Sequence, residues 1–181
     1  MKIYPTNIPD VLLIEPRVFA DERGFFFESY NQRAFQQQTG LTPEFVQDNH
    51  SRSRRHTLRG LHYQIQQAQA KLIRVIAGEV FDVAVDLRRN SPTFGQWTGS
   101  LLSAENKKQL WIPVGFAHGF VVRSEYAEVL YKTSDFYAPA HERCLRWDDP
   151  SLKIDWGLTV PPLVSVKDQR GAVLADASLF P

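Results

Sequence analysis

Glu79 to Leu87, EVFDVAVDL, alternates with a strict period of two. Phe81, Val83 and Val85 fall on one face, and Asp82 and Asp86 on the other. That period belongs to a β-strand and not to a helix. Most of the chain reads the same way in shorter pieces: 11–19 (bent at Pro16), 25–30, 71–76, 97–103, 110–112, 119–123 and 127–134. Segment 45–51 alternates weakly, with polar residues on both faces, and reads as an edge strand. Gly, Pro, Asn and Asp separate the runs and supply turns. Gly78 joins 71–76 to 79–87 in what reads as a tight hairpin. Asn31 to Thr39 has the clearest helical character, with Asn31 as N-cap and Gly40 as terminator. The tail, 164–180, is expected to end in a short helix. The expected fold is all-β, a sandwich or barrel with a few short helices, forming one domain over residues 1–181.

Composition excludes several classes of function. A net charge of +1 offers no global attraction to nucleic acid or an anionic membrane. Anions must be met by locally placed cations. The basic run Ser51 to His56 reads as a solvated loop. Cys144 is the single cysteine, which precludes an internal disulfide and fits a reducing compartment. No stretch reaches the roughly 20 apolar residues of a membrane span. No apolar run follows Lys2, so the chain reads as cytoplasmic.

The chemistry concentrates in Leu58 to Ile76, LRGLHYQIQQAQAKLIRVI. It sets Arg59, His62 and Lys71 among strand formers, where charge is costly unless it faces a wet cavity or a charged ligand. His62 is the side chain that exchanges protons near neutral pH. It is a candidate base, and an aspartate such as Asp168 is a candidate orienter. The bland alternative is a satisfied structural histidine. Strict alternation puts Arg59 and His62 on opposite faces, and a bulge at Gly60 would reunite them. Tyr131 is either core packing or a general acid, and Lys71 either an exposed strand end or an oxyanion stabiliser. Pro113 to His118, PVGFAH, resembles the second half of the metal motif of cupin barrels. The first half is broken: Gln64 stands two places after His62, and Ala68 and Gln69 stand where a glutamate is needed. A cupin-type jelly-roll barrel with no metal is therefore expected.

The chain resembles the dTDP-4-dehydrorhamnose 3,5-epimerases over about Val11 to Asp168. The carrying motifs are EPRVFADERGFFFESYN, FVQDNHSRS, LRGLHYQ, KLIRVIAGEVFDVAVDLR, SPTFGQW, LWIPVGFAHGF and EYAEVLYKTSDFY. The resemblance implies a cofactor-free, metal-free cupin homodimer. Such an enzyme epimerises dTDP-4-dehydro-6-deoxy-D-glucose at C3 and C5. By position it implies His62 as base, Asp168 as its partner, Tyr131 as acid and Lys71 beside the sugar oxygen. It implies Arg59 at the diphosphate, Arg23, Glu28, Gln47 and Asn49 at the nucleotide, and His118, Lys167 and Glu142 as further substrate contacts. Two departures stand out: Arg143-Cys144 where the family commonly has small residues, and Gly157 where proline usually follows the tryptophan. A single-centre epimerase, a non-catalytic nucleotide-sugar-binding barrel and a metal-dependent cupin are the competing readings.

Overall fold

The computed structural model describes residues 1–181. Strands β1 (Lys2–Pro5), β2 (Leu12–Glu15), β3 (Phe19–Asp21) and β4 (Gly24–Phe26) precede helix α1 (Gln32–Thr39). Then come β5 (Gln47–Arg54), β6 (Leu58–Gln64), β7 (Lys71–Ala77), β8 (Glu79–Asp86) and β9 (Trp97–Ser103). They are followed by β10 (Gln109–Ile112), β11 (Phe116–Val122), β12 (Tyr126–Thr133), β13 (Glu142–Cys144) and helix α2 (Val166–Gln169). Every strand pairing within the sheets is antiparallel.

Two sheets face each other, as the all-β cupin-type jelly roll requires. One runs β1-β2-β10-β7-β12-β5 and the other β13-β6-β11-β8-β9. Between them lie Ile73 and Val75 of β7, Val80 and Ala84 of β8, Phe120 of β11 and Val129 of β12, with neighbouring apolar residues. A second cluster, including Val83, Val85, Leu145 and Trp156, packs the C-terminal segment on the outside of the five-stranded sheet. This explains why both faces of β8 are buried: Val83 and Val85 face this outer cluster, while Val80, Asp82 and Ala84 point between the sheets.

The helix forms as its capping residues dictate. Asn31 accepts from the Ala34 N–H, and Gly40 turns left-handed at φ 72°. The cap contributes about 1 kcal/mol. Phe35 is buried against Trp111 and Leu72, fixing α1 to the outer face of the six-stranded sheet.

Several local expectations give way to tertiary context. β7 and β8 do not form a hairpin, because they belong to different sheets. Gly78 is the corner between the sheets; at φ 71°, an added Cβ would lie 2.0 Å from the Tyr126 carbonyl oxygen. The basic run is not a loop up to Arg54, since β5 extends through it and pairs with β12 as the sheet's edge. β13, which had no clear pattern in sequence, adds a strand beside β6. The run 25–30 is strand only to Phe26, in a separate β3–β4 ribbon.

Candidate active site

Between the sheets the apolar core gives way to a polar cavity of about 250 Å³. Its wall continues the same inward-facing rows of residues. On β7, Lys71 continues the row of Ile73 and Val75, and on β12 Tyr131 continues that of Ala127 and Val129. On the opposite sheet His118 sits across from His62. Thus β6 and β11 present the two histidines, while β7 and β12 present Lys71 and Tyr131.

Arg59 and His62 share this cavity because β6 carries an extra residue. His62 pairs with His118 and Arg59 with Phe120, so three steps on β6 span two on β11. The bulge falls at Gly60, at φ 120°, where a Cβ would lie 2.5 Å from the Gly119 Cα. Only glycine tolerates both constraints. Arg59 is steadied by its Nε–H donating to Ser53 Oγ at 2.8 Å.

His62 Nε2 lies 2.6 Å from Asp168 Oδ1. Asp168 begins in the first turn of α2, where its N–H donates to the Ser165 hydroxyl oxygen. Its second oxygen accepts from the Gly60 N–H at 3.2 Å. Burial opposes its ionisation, but the bonds from His62, Gly60 and Ser165 prevail and keep its pKa below the usual value. An ionised carboxylate only accepts, so the proton of the neutral imidazole sits on Nε2 and Nδ1 keeps a lone pair.

Lys71 is buried and donates from Nζ to the His62 carbonyl oxygen at 3.2 Å. Burial pushes its pKa down to about 8, against the pull of Asp82 and Glu142. Burial raises the Tyr131 pKa, so the phenol keeps its proton at neutral pH. His118 is buried and its Nε2 lies 3.0 Å from both Asp82 oxygens. Burial, partly offset by Asp82, pushes its pKa below the ordinary histidine value. Glu142 holds Lys167 at 2.5 Å and accepts from the Tyr137 hydroxyl at 2.8 Å. Cys144 stands directly across from His62 and burial pushes its thiol up to about 12, leaving it protonated and poorly nucleophilic.

The remaining candidates divide. Gln47 donates to Asn49 and accepts from the N–H of Tyr137, which lines the cavity. Asn49 pairs across from Tyr131. Arg23 lies elsewhere, at the exposed tip of the β3–β4 ribbon, ion-paired to Asp21. Glu28 accepts from Asn31 beside α1 and does not line the cavity. Gln64, at the broken metal position, is committed to the Gln67 and Phe136 carbonyls and the Ala138 N–H.

Three residues were not singled out from sequence. Ser51 lines the cavity, and its buried hydroxyl has no partner within the protein. The signal was its place two and four residues after Asn49 and Gln47, on one face of β5. Asp82, which holds His118, was visible only as the polar face of β8. Tyr137 had no sequence signal.

A family model described as dTDP-4-dehydrorhamnose 3,5-epimerase matches residues 5–176. The chain is 70% identical to the dTDP-4-dehydrorhamnose 3,5-epimerase of Pseudomonas aeruginosa over 181 residues, covering 100% of both chains. It is 55% identical to that of Escherichia coli over 171 residues, covering 94% of this chain and 92% of the relative. The crystal structure of dTDP-6-deoxy-D-glucose-3,5-epimerase from Legionella pneumophila in complex with dTDP-4-keto-L-rhamnose superimposes with a TM-score of 0.95. Identity there is 51%, over 98% of this chain and 94% of that one. The matched region contains every strand of the cavity and the helix that carries Asp168, and the chain belongs to the dTDP-4-dehydrorhamnose 3,5-epimerase family.

Proposed function

We propose that the chain epimerises dTDP-4-dehydro-6-deoxy-D-glucose at C3 and C5, giving dTDP-4-dehydro-L-rhamnose. One observation carries the reading: His62, held by Asp168, comes from one sheet, and Tyr131 comes from the sheet facing it across a single cavity. Inverting a carbon needs a proton removed from one face and another delivered to the opposite face. The C4 ketone acidifies the hydrogens on C3 and C5. His62 Nδ1 takes the hydrogen as a proton, and the C–H electron pair moves towards the ketone oxygen as an enolate. The Lys71 ammonium stabilises that oxygen, and its burial strengthens the effect. Tyr131 then protonates carbon from the other side, and solvent resets both groups. Arg59 anchors the diphosphate, which is unchanged in the reaction. His118, Ser51, Gln47, Asn49, Glu142 and Lys167 border the sugar and nucleotide.

Arg23 and Glu28 belong in this reading as contacts made across a homodimer. Phe25 is 61% exposed and Phe26 66%, on a ribbon that joins neither main sheet. Such bare aromatic surface marks an interface. The ribbon of one protomer then delivers Arg23 to the nucleotide end of its partner's cavity. No helix is long and apolar enough to cross a membrane. The unpaired Cys144 thiol suits a cytoplasmic enzyme.

Turnover in deuterium oxide tests the reaction. The product is expected to carry deuterium at both C3 and C5. Label at one carbon alone would make this a single-centre epimerase; binding with no exchange would make it a binding protein.

A further inference from the structure

Cys144 is the chain's only cysteine and takes no part in the proton chemistry above. Yet β13 places it directly opposite His62 on β6. Cross-strand partners project on the same side of a sheet. Asp168 reaches the same spot from α2. One donor atom each from His62, Cys144 and Asp168 lies within 4.8 Å of the others. His62 Nε2 is 2.6 Å, and Cys144 Sγ 3.9 Å, from the same carboxylate oxygen, Asp168 Oδ1.

We propose that His62, Cys144 and Asp168 form an inhibitory binding site for a thiophilic divalent cation of the zinc class. Imidazole, thiolate and carboxylate are together a zinc donor set, with one position left for water. A tetrahedral ion with bonds of about 2.0–2.3 Å spaces its donors roughly 3.3–3.7 Å apart. The sulfur–oxygen gap therefore closes slightly and the nitrogen–oxygen gap opens, each by less than about 1 Å on that geometry. Asp168 Oδ2 keeps its bond from Gly60 throughout. The three ligands come from three separate elements, so the site is formed by the fold and not by a local sequence motif. It is also distinct from the broken cupin pattern, because His118 is turned to Asp82 and takes no part.

The protons balance simply. The Cys144 thiol gives its proton to solvent and its sulfur lone pair to the ion. The proton on His62 Nε2 passes through solvent to Nδ1, leaving the ring neutral and Nε2 free to coordinate. The Nδ1 lone pair is then lost, and His62 is no longer a base. Metal binding stands on the geometry alone; its inhibitory effect rests on the proposed function.

The full-length protein, stripped with a chelator and then dialysed, is titrated with Co2+ and, separately, assayed under Zn2+. Cobalt is expected to produce a thiolate-to-metal charge-transfer band in the wild type at one ion per chain, and none in Cys144→Ala. Loss of an inner ligand costs at least the roughly 10–100-fold typical of outer-shell partners, so Cys144→Ala should need about tenfold more Zn2+ or higher for half-inhibition. With chelator present the variant should turn over like the wild type, which also shows that it folds. Absence of the band in the wild type overturns the site. Equal Zn2+ sensitivity of the two proteins overturns the inhibition. Metal-free wild type that exchanges no substrate hydrogen overturns the proposed function instead, and the cobalt spectrum still decides the site.

Discussion

Asp168 Oδ1 lies 2.6 Å from His62 Nε2, although the two residues are 106 positions apart in sequence. The carboxylate fixes which nitrogen of His62 carries the proton. Asp168→Asn preserves the shape but removes the obligate acceptor, so the ring can adopt the wrong tautomer. A turnover loss of about 10²–10⁴-fold is expected with little change in nucleotide affinity. Steady-state kinetics beside dTDP binding by calorimetry would check this; an unimpaired variant would remove Asp168 from the mechanism.

In the proposed mechanism Tyr131 supplies the second proton and takes no part in the first step. In Tyr131→Phe, loss of substrate hydrogen to solvent should continue while product falls by about 10²-fold or more. Mass spectrometry of recovered substrate in deuterium oxide reads the first, and chromatography the second. If both fall equally, Tyr131 is not a separate acid.

Lys71 carries opposite consequences for activity and for stability. The proposed mechanism needs its cation at the enolate, so activity should decline as pH rises through about 8. In the unfolded chain the same amine titrates near 10.5, so between these values the unfolded state holds the extra proton. Folding stability should therefore rise with pH across that window, with the burial penalty fully present below it. Lys71→Met should lose the reaction yet gain roughly 1–3 kcal/mol at neutral pH. Thermal unfolding of the two proteins at pH 7 and at pH 10.5 tests this; the gap between them should narrow at the higher pH.

Gly60→Ala tests the bulge. Its Cβ would lie 2.7 Å from the His118 carbonyl oxygen, at a φ of 120°. Destabilisation of about 1–3 kcal/mol or more is expected, together with lost turnover as Arg59 and His62 come apart. Denaturant unfolding reads the first effect. A variant with wild-type stability would mean that the strand has room to re-register.

Mixing subunits tests the β3–β4 ribbon. Arg23→Ala and His62→Ala proteins are each expected to be impaired at low substrate concentration. Refolded together, they should recover activity, since one site of a mixed dimer then has an intact His62 and its partner's Arg23. No recovery would put Arg23 outside the partner's site.

Much of this was legible in sequence because local chemistry and fold agreed. Asn31 and Gly40 bound the helix as capping rules require. The oddly placed Arg59, His62 and Lys71 marked the cavity because buried charge needs a reason. Gly78 misled for a physical reason: a hairpin turn and a corner between sheets both ask for a left-handed residue, and only long-range pairing tells them apart. β13 is three residues long and polar, too short for any period to show. Tyr137 reaches the cavity from a loop, where no periodicity points anywhere. Arg23 and Glu28 were assigned by family likeness to a site that their own chain does not bring them to.

The corner at Gly78 has a mechanical consequence. By sending β7 and β8 to opposite sheets, it leaves His62 and Tyr131 on two plates held apart by the hydrocarbon packed next to their cavity. Their spacing is then set by side-chain volume at Ile73, Val80 and Val129, in the apolar core beyond the cavity wall. Stereochemical outcome in this barrel can be tuned from its spacer layer, by substitutions that never touch the sugar.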